Sequence, residues 1–418
     1  MSEVKNIPDG WVETTLGEVI QILDGDRGKN YPNGDDFSNS GYCLFLNTKN
    51  VPNRDFSFSE TMFISKEKDN ELGKGKLERE DFILTTRGTI GNFAFYSNDI
   101  LYNNIRINSG MVILRFNTIN KAFFKFYLGG NLFKNQVQSL QSGSAQPQLP
   151  IRDLKTFKII LPKISEQKSI SSILTAFDDK IELLQAQNKT LEATAQTIFA
   201  EWFGKYNVDD ELPSGWRIGK LSEIANLKSG FAFKAEDFIE ESNFKAIKIK
   251  DLKGNGNISL SDVSAITEEI TKLDRVQYFK LDEGDILLAM SGNTTGKIGV
   301  LPSSENEIYL NQRVGKFFMK DKKYNSFLYN FLMSGSFEEK ILGMGYGSAQ
   351  PNINPSQIEN IVIIYPDETK MNDYLNISNP IFEKVLKNNT QIQTLTKTRD
   401  ELLPRLMSGE VRVNEFKV

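Results

Sequence analysis

The chain has 418 residues, of which 39% are hydrophobic and 25% charged, values typical of a globular protein that buries its own core. It contains no histidine, which excludes His-based acid–base catalysis, Ser-His-Asp and Cys-His nucleophile systems and His-containing metal sites. With a formal net charge of −4, the chain is not a simple electrostatic DNA binder, so a nucleic-acid partner would require a local basic surface or another subunit.

Targeting and redox signals are sparse. The single cysteine, Cys43, cannot form an internal disulfide, which agrees with a reducing compartment. No apolar run approaches the roughly 18 residues of a membrane span. Residues 1–6 do not resemble a signal peptide. We therefore expect a cytoplasmic protein without membrane association.

The first part of the chain combines short β-type runs with helical stretches. The runs at 82–84 and 111–114 consist of apolar strand formers, and Asn33-Gly34 is a turn signal. Residues 121–132 have a helical pattern. This mixture predicts an α+β domain, which we place at 1–163.

The pattern then changes to that of one long helix. Apolar residues recur at spacings of four and three from Ile170 to Trp202, with Asn188 as a polar member and no Gly or Pro between them. We expect a helix over 164–204. A short polar connector at 206–212 follows it.

The second half of the chain repeats the first. Pro-Asp-Gly-Trp at 8–11 returns as Pro-Ser-Gly-Trp at 213–216, and Gly-Ser-Ala-Gln-Pro at 143–147 returns at 347–351. A period of about 205 residues is far longer than the roughly 20–50 residues of a solenoid unit, so it indicates a duplicated domain. Two copies of one domain suit a target that also has two parts.

The duplication predicts a second domain at 205–367, a second helix at 368–408 and a C-terminal tail at 409–418. The second heptad seam is weaker, because Ser378 and Arg399 are poor core residues and Pro380 should perturb or begin the helix. An antiparallel coiled coil of the two helices, with pseudo-two-fold internal symmetry, is the simplest arrangement.

One antiparallel register places apolar seam residues opposite each other. In it Asn188 faces Asn388 and Ile181 faces Leu395. A slip would bury each amide against leucine or isoleucine, so the polar pair should fix the register. Packing of each helix on its own domain is the alternative.

No stretch carries a convincing catalytic motif. Residues 366–370 resemble a nuclease motif, but the equivalent stretch of the first half lacks the acids. Residues 291–297 resemble a phosphate-binding loop, but the glycine spacing is one residue short, so a tight turn after a strand fits better. Asn354-Pro355 lacks the second proline and the aromatic residue of adenine methyltransferases.

Polar, basic and aromatic residues instead crowd the loops of both halves. Arg, Lys, Asn and Gln read base edges, and their recurrence at matched positions suggests DNA binding. We align Asn104-Ile105-Arg106 with Asn311-Gln312-Arg313. The candidate DNA-binding residues are Arg27, Lys29, Asn30, Tyr31, Arg87, Asn104, Arg106, Ser144, Gln146, Lys228, Phe231, Lys234, Asn293, Thr294, Lys297, Gln312, Arg313, Tyr346, Ser348 and Gln350.

Four features of the chain point to one family. They are the Gly-Trp opening, the Gly-Ser-Ala-Gln-Pro segment leading to a strand at 157–162, Glu166-Gln167-Lys168 at a helix start, and the order of domain, helix, domain, helix. With these features the whole chain resembles the specificity subunits of Type I restriction-modification systems. The second half has Thr369-Lys370-Met371 in place of the Glu-Gln-Lys signature.

The resemblance implies a non-catalytic subunit that binds double-stranded DNA, with two target-recognition domains that each read half of a bipartite site. Two methyltransferase subunits carrying S-adenosylmethionine would dock on it, and restriction subunits using ATP and Mg would join them. We expect no cofactor and no metal in this chain. A single-chain DNA-modifying enzyme and a coiled-coil scaffold without DNA binding are the alternatives.

Overall fold

A computed structural model of the chain describes residues 7–116, 118–141, 148–344 and 353–413. The chain divides into two compact units. The first unit contains the chain up to Asp179 together with the residues from Thr396 onward, and the second unit is Lys180–Leu395. Each unit therefore contains a part of each of the two long helices.

Most elements of the first unit lie before the first long helix. Its strands are β1 (Val12–Thr15), β2 (Ile20–Asp24), β3 (Cys43–Leu46), β4 (Phe63–Ile64), β5 (Phe82–Thr85), β6 (Phe93–Phe95), β7 (Ile105–Ile107), β8 (Met111–Phe116) and β9 (Lys158–Leu161). Its shorter helices are α1 (Leu16–Val19), α2 (Lys66–Glu71), α3 (Lys121–Gly129), α4 (Asn131–Gln141) and α5 (Ile151–Leu154). The first long helix, α6, spans Ile164–Phe203.

The central sheet of the first unit is antiparallel, with strand order β2-β8-β5-β6. A second sheet has the order β4-β3-β7, in which β3 and β7 are parallel, and β1 pairs with β9. Strand β5 is apolar on both faces because both faces are covered. Phe82 and Leu84 pack in the core that includes α3, whereas Ile83 packs against the second sheet.

The second unit repeats this order with additional short strands. Its strands are β10 (Arg217–Lys220), β11 (Ala225–Ser229), β12 (Phe238–Ile239), β13 (Phe244–Ile247), β14 (Leu252–Gly254), β15 (Asn257–Ile258), β16 (Ser264–Ile266), β17 (Lys280–Leu281), β18 (Ile286–Ala289), β19 (Ile298–Val300), β20 (Glu307–Leu310), β21 (Val314–Met319) and β22 (Val362–Tyr365). Its helices are α7 (Glu268–Thr271), α8 (Asp274–Gln277), α9 (Asn325–Leu332), α10 (Gly335–Met344), α11 (Pro355–Glu359) and the start of the second long helix, α12 (Glu368–Ser408).

The sheets of the second unit correspond to those of the first. The central sheet has the order β11-β21-β18-β19, and a second sheet has the order β12-β16-β13-β20-β17 with β13 and β20 parallel. In β18, Ile286 and Leu288 belong to one core, and Leu287 and Ala289 to the other. The predicted α+β fold with two similar domains is therefore confirmed.

The long helices span nearly the ranges that the heptads predict. The second one, α12, begins at Glu368 and continues through Pro380, so the expectation that Pro380 begins the helix is wrong. The polar residues of its seam have partners. Ser378 is buried and forms a hydrogen bond with Ser326, and Arg399 pairs with Asp178 at 2.7 Å within the first unit.

The two helices run antiparallel and contact each other through their seams. In the second unit Asn388 Nδ2 donates to Asn188 Oδ1 at 2.7 Å, as the predicted register requires. Asn388 Nδ2 also donates to Gln187, and Asn188 Nδ2 donates to Asn389. Both helices also pack on the domains, because Ile170, Leu174 and Leu406 belong to the first core.

Candidate nucleic-acid interface

In each unit, three loops meet at one edge of the central sheet. In the first unit Asp24 at the end of β2 pairs with Val112, and Thr85 at the end of β5 pairs with Met111, so both strands end where β8 begins. The loops 25–31, 86–92 and 108–110 therefore adjoin each other. We call them the loop edge of the first unit.

The second unit has the same arrangement. Ser229 at the end of β11 pairs with Gly315, and Ala289 at the end of β18 pairs with Val314. The loops 230–234, 290–297 and 311–313 form the loop edge of the second unit. The 290–297 loop contains a 3-10 turn at Gly292–Thr294 directly after β18, as the sequence predicts in place of a phosphate-binding loop.

Backbone hydrogen bonds hold the loops of each edge together. In the first unit Thr86 N donates to Gly110 O at 2.8 Å, and Leu149 N donates to Thr86 O at 2.9 Å. In the second unit the equivalent bonds run from Met290 N to Arg313 O at 3.0 Å and from Ile353 N to Met290 O at 2.8 Å. The two edges therefore share one backbone frame.

Glycine is required where the first loop crosses the strand ends. A Cβ on Gly25 would lie 2.4 Å from Asn108 O, and one on Gly230 would lie 2.3 Å from Leu310 O. No side chain fits these distances, so the repeated glycine permits the close backbone approach. This position is Gly25 in the first copy of the repeat and Gly230 in the second.

Two arginines among the candidates of the first unit lie at its loop edge. Arg27 is exposed and its Nη2 donates to Asp24 at 3.1 Å and to Ser109 O at 3.2 Å. Arg87 is exposed directly beside Gly110. Lys29 is exposed in the same loop. Asn30 donates to Glu71 O, and the Tyr31 ring packs edge-on against Phe45 of the second sheet.

The structure contradicts the prediction that Arg106 binds DNA. Its side chain is 5% exposed, in the middle of β7. The guanidinium pairs with Asp69 at 2.5 Å and donates to the carbonyls of Asp69, Leu72 and Lys74. A side chain with these partners is part of the core and cannot reach a base without unfolding. Asn104 is half-buried before β7, where its carbonyl accepts from Leu44 N.

The buried pair also explains the ionisation of Asp69. Burial raises the pKa of the Asp69 carboxyl, but the hydrogen bonds from Lys76 and Arg106 outweigh it, so the pKa lies below its usual value. Asp69 is thus held in its charged form by the two cations.

The alignment of Asn104–Arg106 with Asn311–Arg313 is also wrong. The structural equivalents are Asn108 and Asn311, because Asn108 N donates to Leu46 O and Asn311 N donates to Ile247 O at the ends of matched parallel strands. Arg313 therefore corresponds to Gly110. The residue equivalent to Arg106 is Tyr309, which is fully buried and donates to Glu307.

The second loop edge brings together more of the predicted residues. Asn293, Lys297, Gln312 and Arg313 are exposed there, and Thr294 and Phe231 are partly buried. Lys234 is exposed and pairs with Glu236. Lys228 lies within β11, where its Nζ donates to the Tyr278 hydroxyl at 2.5 Å.

Two hydroxyls in the 290–297 loop lack partners. Ser291 Oγ and Thr294 Oγ1 are buried and form no hydrogen bond within the part of the chain that the structure describes. Buried polar atoms normally have a hydrogen-bond partner. The hydroxyls of Ser291 and Thr294 are therefore unsatisfied within the described residues. The predicted residues Ser144, Gln146, Tyr346, Ser348 and Gln350 lie outside the described residues.

Known proteins share this organisation. The model of the family described as the Type I restriction modification DNA specificity domain matches residues 8–193 and again 213–395. The chain belongs to this family. The two matches correspond to the two copies of the repeat, so the resemblance inferred from the sequence is confirmed.

Individual relatives match over nearly their full length. The MjaIX specificity subunit of Methanocaldococcus jannaschii is 25% identical, with 99% of this chain and 96% of the relative covered. The HindI specificity subunit of Haemophilus influenzae is 24% identical, with 96% of this chain and 99% of the relative covered. The crystal structure of a Type I S subunit from M. genitalium has the same fold, with a TM-score of 0.58 at 16% identity and coverage of 97% and 98%.

Membership of the specificity family confirms the predicted non-catalytic role. Within the described ranges, no group of three or more His, Cys, Asp or Glu side chains could hold a metal ion. None of the helices described combines the length and apolarity needed to cross a membrane.

Sequence reasoning missed two lysines beside the loop edges. Lys49 and Lys250 are exposed in matched 3-10 turns, Thr48–Asn50 and Ile249–Asp251. A Cβ on Gly110 would lie 3.0 Å from Thr48, and one on Gly292 would lie 3.4 Å from Ile249, so both turns adjoin the edges. Both turns have the same sequence pattern, a lysine followed by Asn50 or Asp251. The side chain of Asn50 or Asp251 accepts a backbone hydrogen bond that closes the turn.

Proposed function

We propose that this chain reads a bipartite DNA target for a Type I restriction-modification system, with one half-site for each loop edge. The observation that carries the proposal is one backbone frame that presents different side chains in the two units. Arg87 and Gly110 of the first edge stand where Ser291 and Arg313 stand in the second. Similar folds with different exposed donors and acceptors suit two half-sites of different sequence.

The charge of the edges supports a nucleic-acid partner despite the acidic chain. Exposed cations lie at or beside both edges, namely Arg27, Lys29, Lys49 and Arg87 in the first unit, and Lys234, Lys250, Lys297 and Arg313 in the second. Such a local basic surface can contact phosphates, while the rest of the grip on DNA falls to partner subunits.

The partners follow from the family. Modification subunits that carry S-adenosylmethionine would bind this chain and methylate adenine, and restriction subunits would supply ATP- and Mg-dependent cleavage. The specificity chain contributes sequence recognition and holds the two recognition domains.

Methylome sequencing tests this proposal. The chain is expressed with the modification subunits of its own system in a host without adenine methylation, beside a control strain that expresses the modification subunits alone. We expect methylation at one motif with two defined halves separated by a spacer of fixed length, and none in the control. Methylation without a motif, or an unchanged motif in the control, contradicts the proposal. Binding of S-adenosylmethionine by the isolated chain would instead support the single-chain enzyme.

A further inference from the structure

Two exposed arginines have no side-chain partner among the residues that the structure describes. The sequence contains thirteen arginines. Eleven of them form a hydrogen bond, an ion pair or a ring contact within the described residues. The remaining two are Arg87 and Arg313, whose guanidinium groups have no such contact in the described part of the chain.

These two arginines occupy neighbouring positions of the same backbone frame. Arg87 follows the end of β5, and Arg313 precedes the start of β21. In the first unit a Cβ on Gly110, the equivalent of Arg313, would lie 3.8 Å from the Cβ of Arg87. The two positions are therefore in van der Waals contact. An arginine side chain at either position leaves the backbone at nearly the same point of the loop edge.

Each unit fills only one of the two positions with arginine. The first unit has Arg87 beside Gly110, and the second has Arg313 beside Ser291. The small residue leaves room for the guanidinium of its neighbour. The sequence alignment hides this relationship, because the arginines belong to different strand ends.

Both arginines lie on backbone that is hydrogen-bonded across the loop edge. Hydrogen bonds join Thr86 N and Arg87 N to Gly110 O, and Met290 N to Arg313 O. Rigid support is what base recognition requires, whereas a phosphate contact tolerates a mobile point charge. Lys49 and Lys250 beside the edges are suited to the phosphate role.

We propose that Arg87 and Arg313 each recognise one guanine in the half-site of their own unit. The planar guanidinium donates two parallel hydrogen bonds to guanine N7 and O6, the commonest specific contact in the major groove. The inference rests on the proposed function. It adds the identity of one recognised base in each half-site and the residue that recognises it.

The test uses the complex of this chain with its modification subunits and the motif found by methylome sequencing. Each guanine of the motif is replaced in turn by 7-deazaguanine, which lacks the N7 acceptor, and affinity is measured by titration of labelled duplex. We expect one guanine in each half whose replacement weakens binding about ten- to hundredfold. Arg87→Ala should abolish sensitivity to the replacement in one half only, and Arg313→Ala in the other half only, so each variant is the control for the other.

A charge-preserving substitution separates base contact from phosphate contact. Arg87→Lys and Arg313→Lys keep the charge but lose the bidentate fork, so each should relax the motif at one position while the salt dependence of binding stays as in the wild type. Unchanged melting temperatures of the complexes show that folding is intact.

Three results would overturn the inference while the proposed function stands: uniform loss of affinity for all duplexes, a half-site without guanine, or variants that read the wild-type motif unchanged. A wild-type complex that methylates no defined motif would instead overturn the proposed function.

Discussion

Asn388 Nδ2 donates a hydrogen bond of 2.7 Å to Asn188 Oδ1, which makes these two amides a buried polar pair between the long helices. Asn388 Nδ2 also donates to Gln187, and Asn188 Nδ2 donates to Asn389, so the pair belongs to a small network. A polar pair in an apolar seam lowers stability but disfavours slipped registers, because a slip would leave each amide unpaired.

We predict that Asn388→Leu destabilises the chain by about 1–3 kcal/mol, since it leaves Asn188 buried without its partner. The double variant Asn188→Leu with Asn388→Leu should recover most of that loss, because two leucines pack in the seam. Thermal denaturation measures both effects. Asn372→Leu, at an exposed position of the same helix, is the matched control and should change little. An unaffected single variant would show that the amide pair contributes nothing.

The helix register also predicts the spacing of the half-sites. Four residues inserted near the middle of α6 add about 6 Å of helix at 1.5 Å per residue. We expect the complex to methylate a motif with an altered spacer and unaltered halves, as read by methylome sequencing. The same four residues inserted in the exposed connector at 207–211 serve as the control and should leave the spacer unchanged. An unaltered spacer after the helix insertion would disprove the role of the helices in setting it.

Arg106 should behave as a core residue. Arg106→Ala leaves Asp69 buried with Lys76 as its remaining cation, and breaking a buried pair costs about 3–5 kcal/mol. We therefore expect a large fall in the free energy of unfolding of the first unit. Arg152→Ala removes the same group from a pair whose arginine side chain is 86% exposed, and it should cost less than about 1 kcal/mol. Equal stabilities of the two variants would refute the structural role.

Glu192 makes stability depend on pH. Burial raises the pKa of its carboxyl above the ordinary value, and the hydrogen bond from the Tyr329 hydroxyl at 3.3 Å only partly opposes this. The folded chain therefore favours neutral Glu192, and its contribution to stability is lost as the pH rises through that raised pKa. Glu192→Gln should increase the melting temperature at neutral pH, and the gain should vanish at a pH below about 4. A gain that is equally large at both pH values would contradict this.

The long-range organisation could be predicted from the sequence because it depends on repeats. The heptads indicated both helices and the Asn188–Asn388 pair, since a coiled-coil seam follows directly from spacing. The buried role of Arg106 could not be predicted, because its partner Asp69 lies 37 residues away and only the fold brings them together.

The sequence also did not reveal that Arg87 and Arg313 occupy neighbouring positions of the shared backbone frame. The segments between corresponding strands differ in length in the two halves. Comparison of the residue types alone therefore aligned Arg106 with Arg313. Strand pairing sets the correct register, in which Asn108 matches Asn311. Matching exposed side chains in duplicated domains therefore requires the hydrogen-bonded frame.

The most direct test of the account is an exchange of one recognition domain. Residues 1–150 are replaced by the corresponding region of a relative whose target is known and different, and the methylome of the resulting complex is sequenced. We predict a hybrid motif in which one half matches that of the relative, while the other half and the spacer length remain those of the original chain. A motif that changes in both halves, or in neither, would contradict the independence of the two recognition domains.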